Sequence, residues 1–133
     1  MINRLGEERL EYAYAWKSLL ENGIMCAAGT DAPVEDINPL YSIYAAVERK
    51  RPGESIEGYV PKEKISRYEA IRLYTFGSAQ AICKEYERGL IREGYVADFS
   101  IFDRDLFAGT TEDMLQAQAV KTVVAERIVF ERK

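Results

Sequence analysis

Residues 24–28 form a short apolar run, Ile-Met-Cys-Ala-Ala, that does not alternate with polar residues. Such a run is typical of a strand buried on both faces, as in a parallel sheet covered by helices. Apolar residues at helical spacing precede it at 7–21, and the Asn-Gly pair at 22–23 supplies residue types that end a helix. Gly-Thr-Asp at 29–31 then brings a carboxylate to the carboxyl end of the strand, where α/β proteins place their chemistry. We therefore expect an α/β fold in which this stretch is the tail of a βα repeat.

Two more helices are expected in the middle of the chain. Asn38-Pro39 should open the first, because proline suits the first helical turn. Residues 51–64 carry the prolines, glycines and charges of a surface loop. A capping box at 66–69 should open the second helix, whose pattern continues to about Tyr86. Its expected inner face consists of Ile71, Tyr74, Ser78, Ala81 and Ile82, with a break or bend at Gly77.

The last third of the chain is expected to be mostly β. Residues 96–103 alternate as a half-buried strand should, with Ala97, Phe99 and Ile101 on one side. Residues 110–116 can form one short capped helix. Two strands, at 120–125 and 127–130, should follow, joined by a tight turn.

Composition limits the possible partners. The net charge of −4 argues against a general nucleic-acid or membrane binder, because both need an excess of Lys and Arg. The basic residues 49–51 close a helix, where cations suit the helix dipole. Cys26 and Cys83 do not form the pattern of a secreted disulfide framework, which favours a reducing compartment. We expect a cytoplasmic protein with no nucleic-acid or membrane partner.

Asp31 is the candidate functional residue. At the end of a barrel strand it could bind a metal or accept a proton, but Asp before Ala-Pro is also a good turn initiator. Both interpretations remain open from the spacing alone. The chain has no histidine, and one carboxylate cannot hold a catalytic metal by itself. The chain therefore has the features of one piece of an active site.

Four short signatures follow one another along the chain. They are Gly-Thr-Asp-Ala-Pro-Val at 29–34 with Asn38-Pro39-Leu40 and Ile43 to Val47; Ile65-Ser66, Glu69-Ala70, Tyr74-Thr75 and Ala79-Gln80-Ala81; Gly89-Leu90-Ile91, Gly94, Ala97-Asp98-Phe99 and Phe102-Asp103; and Thr122-Val123-Val124 with Ile128-Val129-Phe130. Together they resemble the carboxyl-terminal portion of metal-dependent amidohydrolases. The resemblance is to a subgroup with a long barrel, some of whose members are labelled "exoenzyme regulatory protein", and it covers nearly the whole chain in order.

The resemblance implies the last part of a (β/α)₈ barrel at residues 1–88. Residues 89–133 would then supply the carboxyl-terminal strands of a composite β-sandwich. Residues 24–28 would be the eighth strand, and Asp31 would match the aspartate that binds the metal and accepts the proton of the attacking water. The parent enzyme would hydrolyse amide or cyclic amide C–N bonds of a small molecule with a divalent metal such as zinc.

Several departures from the family pattern indicate an incomplete enzyme. The His-x-His motif, the mid-barrel histidines and the first six or seven strands are missing, and Tyr95 and residues 125–126 replace a usual lysine and a glycine turn. The first hypothesis is an amidohydrolase fragment that binds no metal and is inactive alone. The second is a non-catalytic interaction or regulatory module. Because unpaired strand edges favour pairing between chains, we expect a homo-oligomer.

Overall fold

The computed structural model describes residues 5–133, and the first four residues lie outside this description. Helices dominate up to residue 81, and a small sheet with one further helix forms the rest. The elements are α1 Glu7–Leu10, α2 Trp16–Glu21, α3 Pro39–Glu48, a 3₁₀ turn at Pro61–Glu63, α4 Arg67–Arg72, a π-helical turn at Leu73–Gly77, α5 Ser78–Ala81, β1 Phe99–Phe102, α6 Thr111–Leu115, β2 Ala119–Val124 and β3 Arg127–Glu131.

Helix α3 begins as the sequence predicts. Asn38 is its N-cap and accepts a hydrogen bond from the Leu40 backbone N–H at 3.0 Å, and Pro39 occupies the first turn. The helix buries Leu40, Ile43 and Tyr44 against the core. It ends at Arg49, which adopts a left-handed conformation with φ 58°.

The third predicted helix is interrupted by a wider turn. The predicted capping box is confirmed: Ser66 accepts from the backbone N–H of Glu69, and Glu69 accepts from that of Ser66. Five residues, Leu73–Gly77, then form a π-helical turn in place of the predicted break at Gly77. The extra residue rotates the following turn, so the predicted inner face is wrong at its end, where Ala81 is exposed and Ile82 is 62% exposed. The helix also ends at Ala81 rather than near Tyr86.

The carboxyl-terminal sheet has three antiparallel strands in the order β1-β2-β3. The predicted hairpin is confirmed, and Ala125 and Glu126 turn it with φ 47° and 67°, the handedness that two-residue hairpins favour. Strand β1 is shorter than predicted and is irregular between Ile101 and Phe102. That irregularity packs Phe102 against the core and leaves Ile101 exposed, so the predicted apolar face is wrong at this point.

The predicted strand at residues 24–28 is wrong for this chain. The segment has no regular secondary structure, among the described residues it joins no sheet, and Ile24 and Met25 are 50% and 68% exposed. A parallel strand requires neighbouring strands on its edges, and residues 5–133 supply none there. The apolar pattern encodes burial that this chain does not itself provide.

The predicted helix at residues 7–21 is divided into α1 and α2. A turn at residues 11–14 separates them, and Tyr14 there has φ 52°. Within residues 5–133, no helix combines the length and apolarity needed to cross a lipid bilayer.

The core joins the helical region to the sheet region. Tyr44 and Met114 are fully buried at its centre, and the other buried members are Leu40, Ile43, Ala46, Ile65, Ala70, Leu73 and Ala117. Helices α3 and α6 also make polar contacts. The Tyr44 hydroxyl donates to Glu112 at 2.8 Å, and the Thr111 hydroxyl donates to Glu48 at 2.6 Å. Burial, together with this bond to Glu112, raises the pKa of Tyr44 to about 12.

Tyr44 should therefore stabilise the fold in a pH-dependent way. Removing its hydroxyl in Tyr44→Phe should lower the free energy of unfolding by about 1 kcal/mol at pH 7. The folded-state pKa, about 12, lies above the ordinary 10.0, so the unionised phenol stabilises the fold below pH 10. That stabilisation should be lost as the pH rises from 10 to 12.

Urea unfolding at pH 7 to 12 measures this prediction. Tyr41→Phe is the matched control, because Tyr41 lies in the same helix and is 47% exposed. The prediction would be contradicted if the free energy of unfolding fell between pH 10 and 12 by the same amount in Tyr44→Phe and in the unmodified chain.

Candidate active-site segment

Asp31 is exposed and ends the irregular stretch of residues 24–31, here called the Asp31 segment. Its backbone is left-handed, with φ 61°, a conformation that aspartate tolerates better than most residues. Its carbonyl oxygen accepts hydrogen bonds from the backbone N–H groups of Val34 at 2.8 Å and Glu35 at 3.4 Å. The chain therefore turns immediately after Asp31.

The next turn, before α3, is capped by other side chains. Asp36 accepts from the Asn38 backbone N–H at 2.7 Å, and Asn38 in turn caps α3. The backbone carbonyl of Asp31 closes the turn at this residue. The carboxylate of Asp31 makes no hydrogen bond within residues 5–133. The turn-initiating interpretation thus applies to the backbone of Asp31, and the carboxylate is exposed to a partner or to solvent.

The donor set of the described part of the chain does not fit a complete metal site. No three His, Cys, Asp or Glu side chains within residues 5–133 lie close enough to hold a metal together. A hydrolytic metal site takes at least three protein ligands. A role for the Asp31 carboxylate as one of those ligands stays a prediction.

The π-helical turn fixes the path of the Asp31 segment. The Leu73 carbonyl accepts the Ala28 backbone N–H at 3.2 Å and the Ser78 hydroxyl at 3.1 Å. The Ser78 hydroxyl also lies 3.3 Å from the Ala28 carbonyl. At Gly77, an added Cβ would overlap the Cys26 carbonyl oxygen. The segment therefore packs directly on the backbone of the π-helical turn three residues before Asp31.

A buried polar cluster around Arg49 and Glu63 contacts α2 and the turn before it. Helix α2 precedes the Asp31 segment. The Arg49 guanidinium is 6% exposed and donates to the carbonyls of Tyr59 at 3.0 Å, Tyr14 at 3.0 Å and Ala13 at 2.9 Å. It also lies over the Trp16 ring at 5.6 Å.

Glu63 belongs to the same cluster and is 2% exposed. It accepts from the Ser18 hydroxyl at 2.5 Å and from the Ser18 backbone N–H at 2.9 Å. These two bonds hold the pKa of Glu63 below its usual range.

An apolar groove of about 950 Å³ runs between α4–α5 and the sheet. Its lining includes Ile71, Tyr74, Ile82, Leu90, Phe99 and Ile101. Two lining residues, Tyr74 and Arg88, each have a buried side-chain polar atom without a hydrogen-bond partner in residues 5–133. The chain exposes 9510 Å², against roughly 7,100 Å² expected for a complete monomer of its mass. The chain therefore exposes more surface than a compact monomer of its mass, and the lining of the apolar groove is part of that surface.

Sequence and structure comparisons agree on the class of this chain. The model of the "Amidohydrolase family" matches residues 1–130, so the chain belongs to the amidohydrolase family. It is similar to the "Putative amidohydrolase YtcJ" of Bacillus subtilis (strain 168), with 45% identity over 99% of this chain and 25% of that protein. It is also similar to the "N-substituted formamide deformylase" of Arthrobacter pascens, with 29% identity over 87% of this chain and 21% of that protein.

A solved structure supports the same assignment. The "uncharacterized metal-dependent hydrolase" from Pyrococcus furiosus matches 80% of this chain and 21% of its own length, with 39% identity and a TM-score of 0.67. The chain thus spans between a fifth and a quarter of each of these three proteins. The predicted family is confirmed, and the match is to a part of each relative.

The sequence does not reveal the buried contacts of Arg49 and Glu63, or those of Gly77 and Ser78. Arg49 closes α3 as predicted, and the structure adds that it is buried against residues 13–16. Glu63 falls in a predicted surface loop and is almost fully buried. The one usable signal was the small pair Gly77-Ser78 within an apolar helix, since small residues permit close approach of another backbone.

Proposed function

We propose that this chain is the carboxyl-terminal part of a metal-dependent amidohydrolase that hydrolyses C–N bonds of amides or cyclic amides. Asp31 is its contribution to the active site, and the chain alone is inactive. The single observation that carries this proposal is the exposed Asp31 carboxylate. It ends a segment whose sequence predicts a strand but which pairs with no strand in residues 5–133. Family membership over residues 1–130 supports the reaction class.

The proposed chemistry divides between this chain and the missing part. A divalent metal such as zinc, when bound, polarises the attacking water. Asp31 provides one carboxylate ligand, accepts the proton of that water and passes it to the leaving nitrogen. The Asp31 segment orients the carboxylate, and the loop after it forms one wall of the small-molecule site.

The exposed apolar surfaces support the same proposal. In a (β/α)₈ barrel the Asp31 segment would be the eighth strand, paired on both edges, and residues 1–88 would be barrel. Residues 89–133 would complete a β-sandwich, and added strands would cover the apolar groove. The cytoplasmic location remains a prediction from cysteine usage.

A reassembly experiment tests the proposal. The 133-residue chain is mixed with the amino-terminal three quarters of the Bacillus subtilis relative, ending where the similarity to this chain begins. Light scattering should detect a one-to-one complex, and an N-substituted formamide with added Zn²⁺ serves as the probe for hydrolysis. Neither part alone should hydrolyse it.

The alternative is a self-associating interaction module, favoured by the same open groove. In that case the chain forms a dimer or larger assembly by itself, and the amino-terminal part adds neither binding nor activity. A stable homo-oligomer that does not bind the amino-terminal part would contradict the proposal that this chain is part of a hydrolase.

A further inference from the structure

We infer that Ser78 and Gly77 are positioning residues that set the path of the Asp31 segment through the π-helical turn. The inference rests on the proposed function for the meaning of Asp31, but the contacts themselves lie within this chain. Neither residue touches Asp31, so neither is catalytic.

The first residue of the π-helical turn provides an acceptor for the segment. The Leu73 carbonyl accepts the Ala28 backbone N–H at 3.2 Å and the Ser78 hydroxyl at 3.1 Å. If the segment lay in a sheet, the Ala28 N–H would bond to a neighbouring strand. In this chain it bonds to the backbone of the helix instead.

Ser78 joins the two backbones at this point. Its hydroxyl lies within hydrogen-bond distance of both the Leu73 and the Ala28 carbonyls. Ala28 therefore has its N–H bound to Leu73 and its carbonyl beside Ser78, so both peptide groups that flank Ala28, three residues before Asp31, contact the helix.

Gly77 sets the distance between the helix and the segment. It is buried and has ordinary helical dihedrals, with φ −59° and ψ −43°, so its backbone conformation does not require glycine. The required feature is the absence of a Cβ, which would overlap the Cys26 carbonyl oxygen. Any larger residue at position 77 must push the segment away from the helix.

Amide hydrogen exchange of the 133-residue chain, resolved by peptide, tests the inference without requiring activity. In Ser78→Ala, exchange in the Asp31 segment should accelerate about three- to tenfold, while residues of β1, β2 and β3 keep their protection. Ser78→Thr retains the hydroxyl and should restore protection. Gly77→Ala should accelerate exchange in the segment further.

Thr75→Val is the matched control. The Thr75 hydroxyl donates at 3.1 Å to the Ile71 carbonyl in its own helix, so its loss should leave the Asp31 segment unchanged. Unchanged exchange in Ser78→Ala, or equal acceleration in Thr75→Val, would overturn the inference.

The reassembled enzyme adds a functional measurement. Ser78→Ala should lower kcat while KM stays within about twofold, because the Asp31 carboxylate loses its alignment and substrate binding is retained. If the reassembled pair shows no hydrolysis with the unmodified chain, the proposed function fails, and the exchange result still decides whether Ser78 positions the segment.

Discussion

Asp31→Asn should reduce kcat of the reassembled enzyme by about 10²–10⁴-fold, the range expected for loss of a general base. The amide is close in size to the carboxylate but neither carries its negative charge nor accepts the proton. Because the carboxylate makes no hydrogen bond within residues 5–133, the substitution should leave the free energy of unfolding of the chain almost unchanged. Steady-state kinetics on the complex, with urea unfolding of the chain, measure both quantities.

Asp36→Asn is the matched control for this experiment. Asp36 lies in the same exposed loop, but its carboxylate accepts from the Asn38 backbone N–H and caps the turn before α3. Asparagine can accept the same bond, so activity should remain near that of the unmodified enzyme. Full activity of Asp31→Asn, or equal losses in the two variants, would remove Asp31 from the proposed mechanism.

Arg49→Met should lower the free energy of unfolding of the 133-residue chain by about 3 kcal/mol, the low end of the loss measured when a buried charged partner is removed. Methionine fills part of the volume of the arginine stem, yet the partly buried carbonyls of Ala13, Tyr14 and Tyr59 lose their donor. The substitution also removes the cation that lies over the Trp16 ring. Urea unfolding followed by tryptophan fluorescence measures the change, because Trp16 is the single tryptophan.

Arg51→Met is the matched control for Arg49. Arg51 carries the same charge two residues later, and its side chain is exposed. Its substitution should change stability by no more than about 0.5 kcal/mol. Equal destabilisation by both variants would mean that net charge, and not the buried contacts of Arg49, stabilises α2.

Local signals in the sequence predicted the elements that this chain completes by itself. The N-cap at Asn38, the capping box at Ser66 and the hairpin before β3 depend on residues within a few positions of one another. The family, too, followed from short signatures distributed along the chain. Such features need no distant partner to form, so sequence reasoning identified them.

Features that depend on distant partners were predicted poorly. The strand predicted at residues 24–28 needs neighbouring strands, and residues 5–133 place none beside it. Arg49 and Glu63 are buried by contacts to residues 13–18, which are 31 or more positions away along the chain. The π-helical turn has no periodicity of its own and differs from an α-helix by one residue. Only the three-dimensional contacts reveal these features.

The candidate site was also predicted only in part, because its local features follow from the sequence and its long-range contacts do not. Asp31 was identified from its place after an apolar run, and the structure adds that its carboxylate is exposed while its backbone closes the turn. The contacts of Ser78 and Gly77 with the Asp31 segment were not predicted, because they join segments about 50 residues apart.

The rate of formamide hydrolysis by the mixture of this chain and the amino-terminal part of the Bacillus subtilis relative tests the central claim most directly. We expect hydrolysis only when both parts and Zn²⁺ are present, with loss of the rate on chelation and in Asp31→Asn. Hydrolysis by the 133-residue chain alone, or a mixture whose rate depends neither on Zn²⁺ nor on Asp31, would contradict the account.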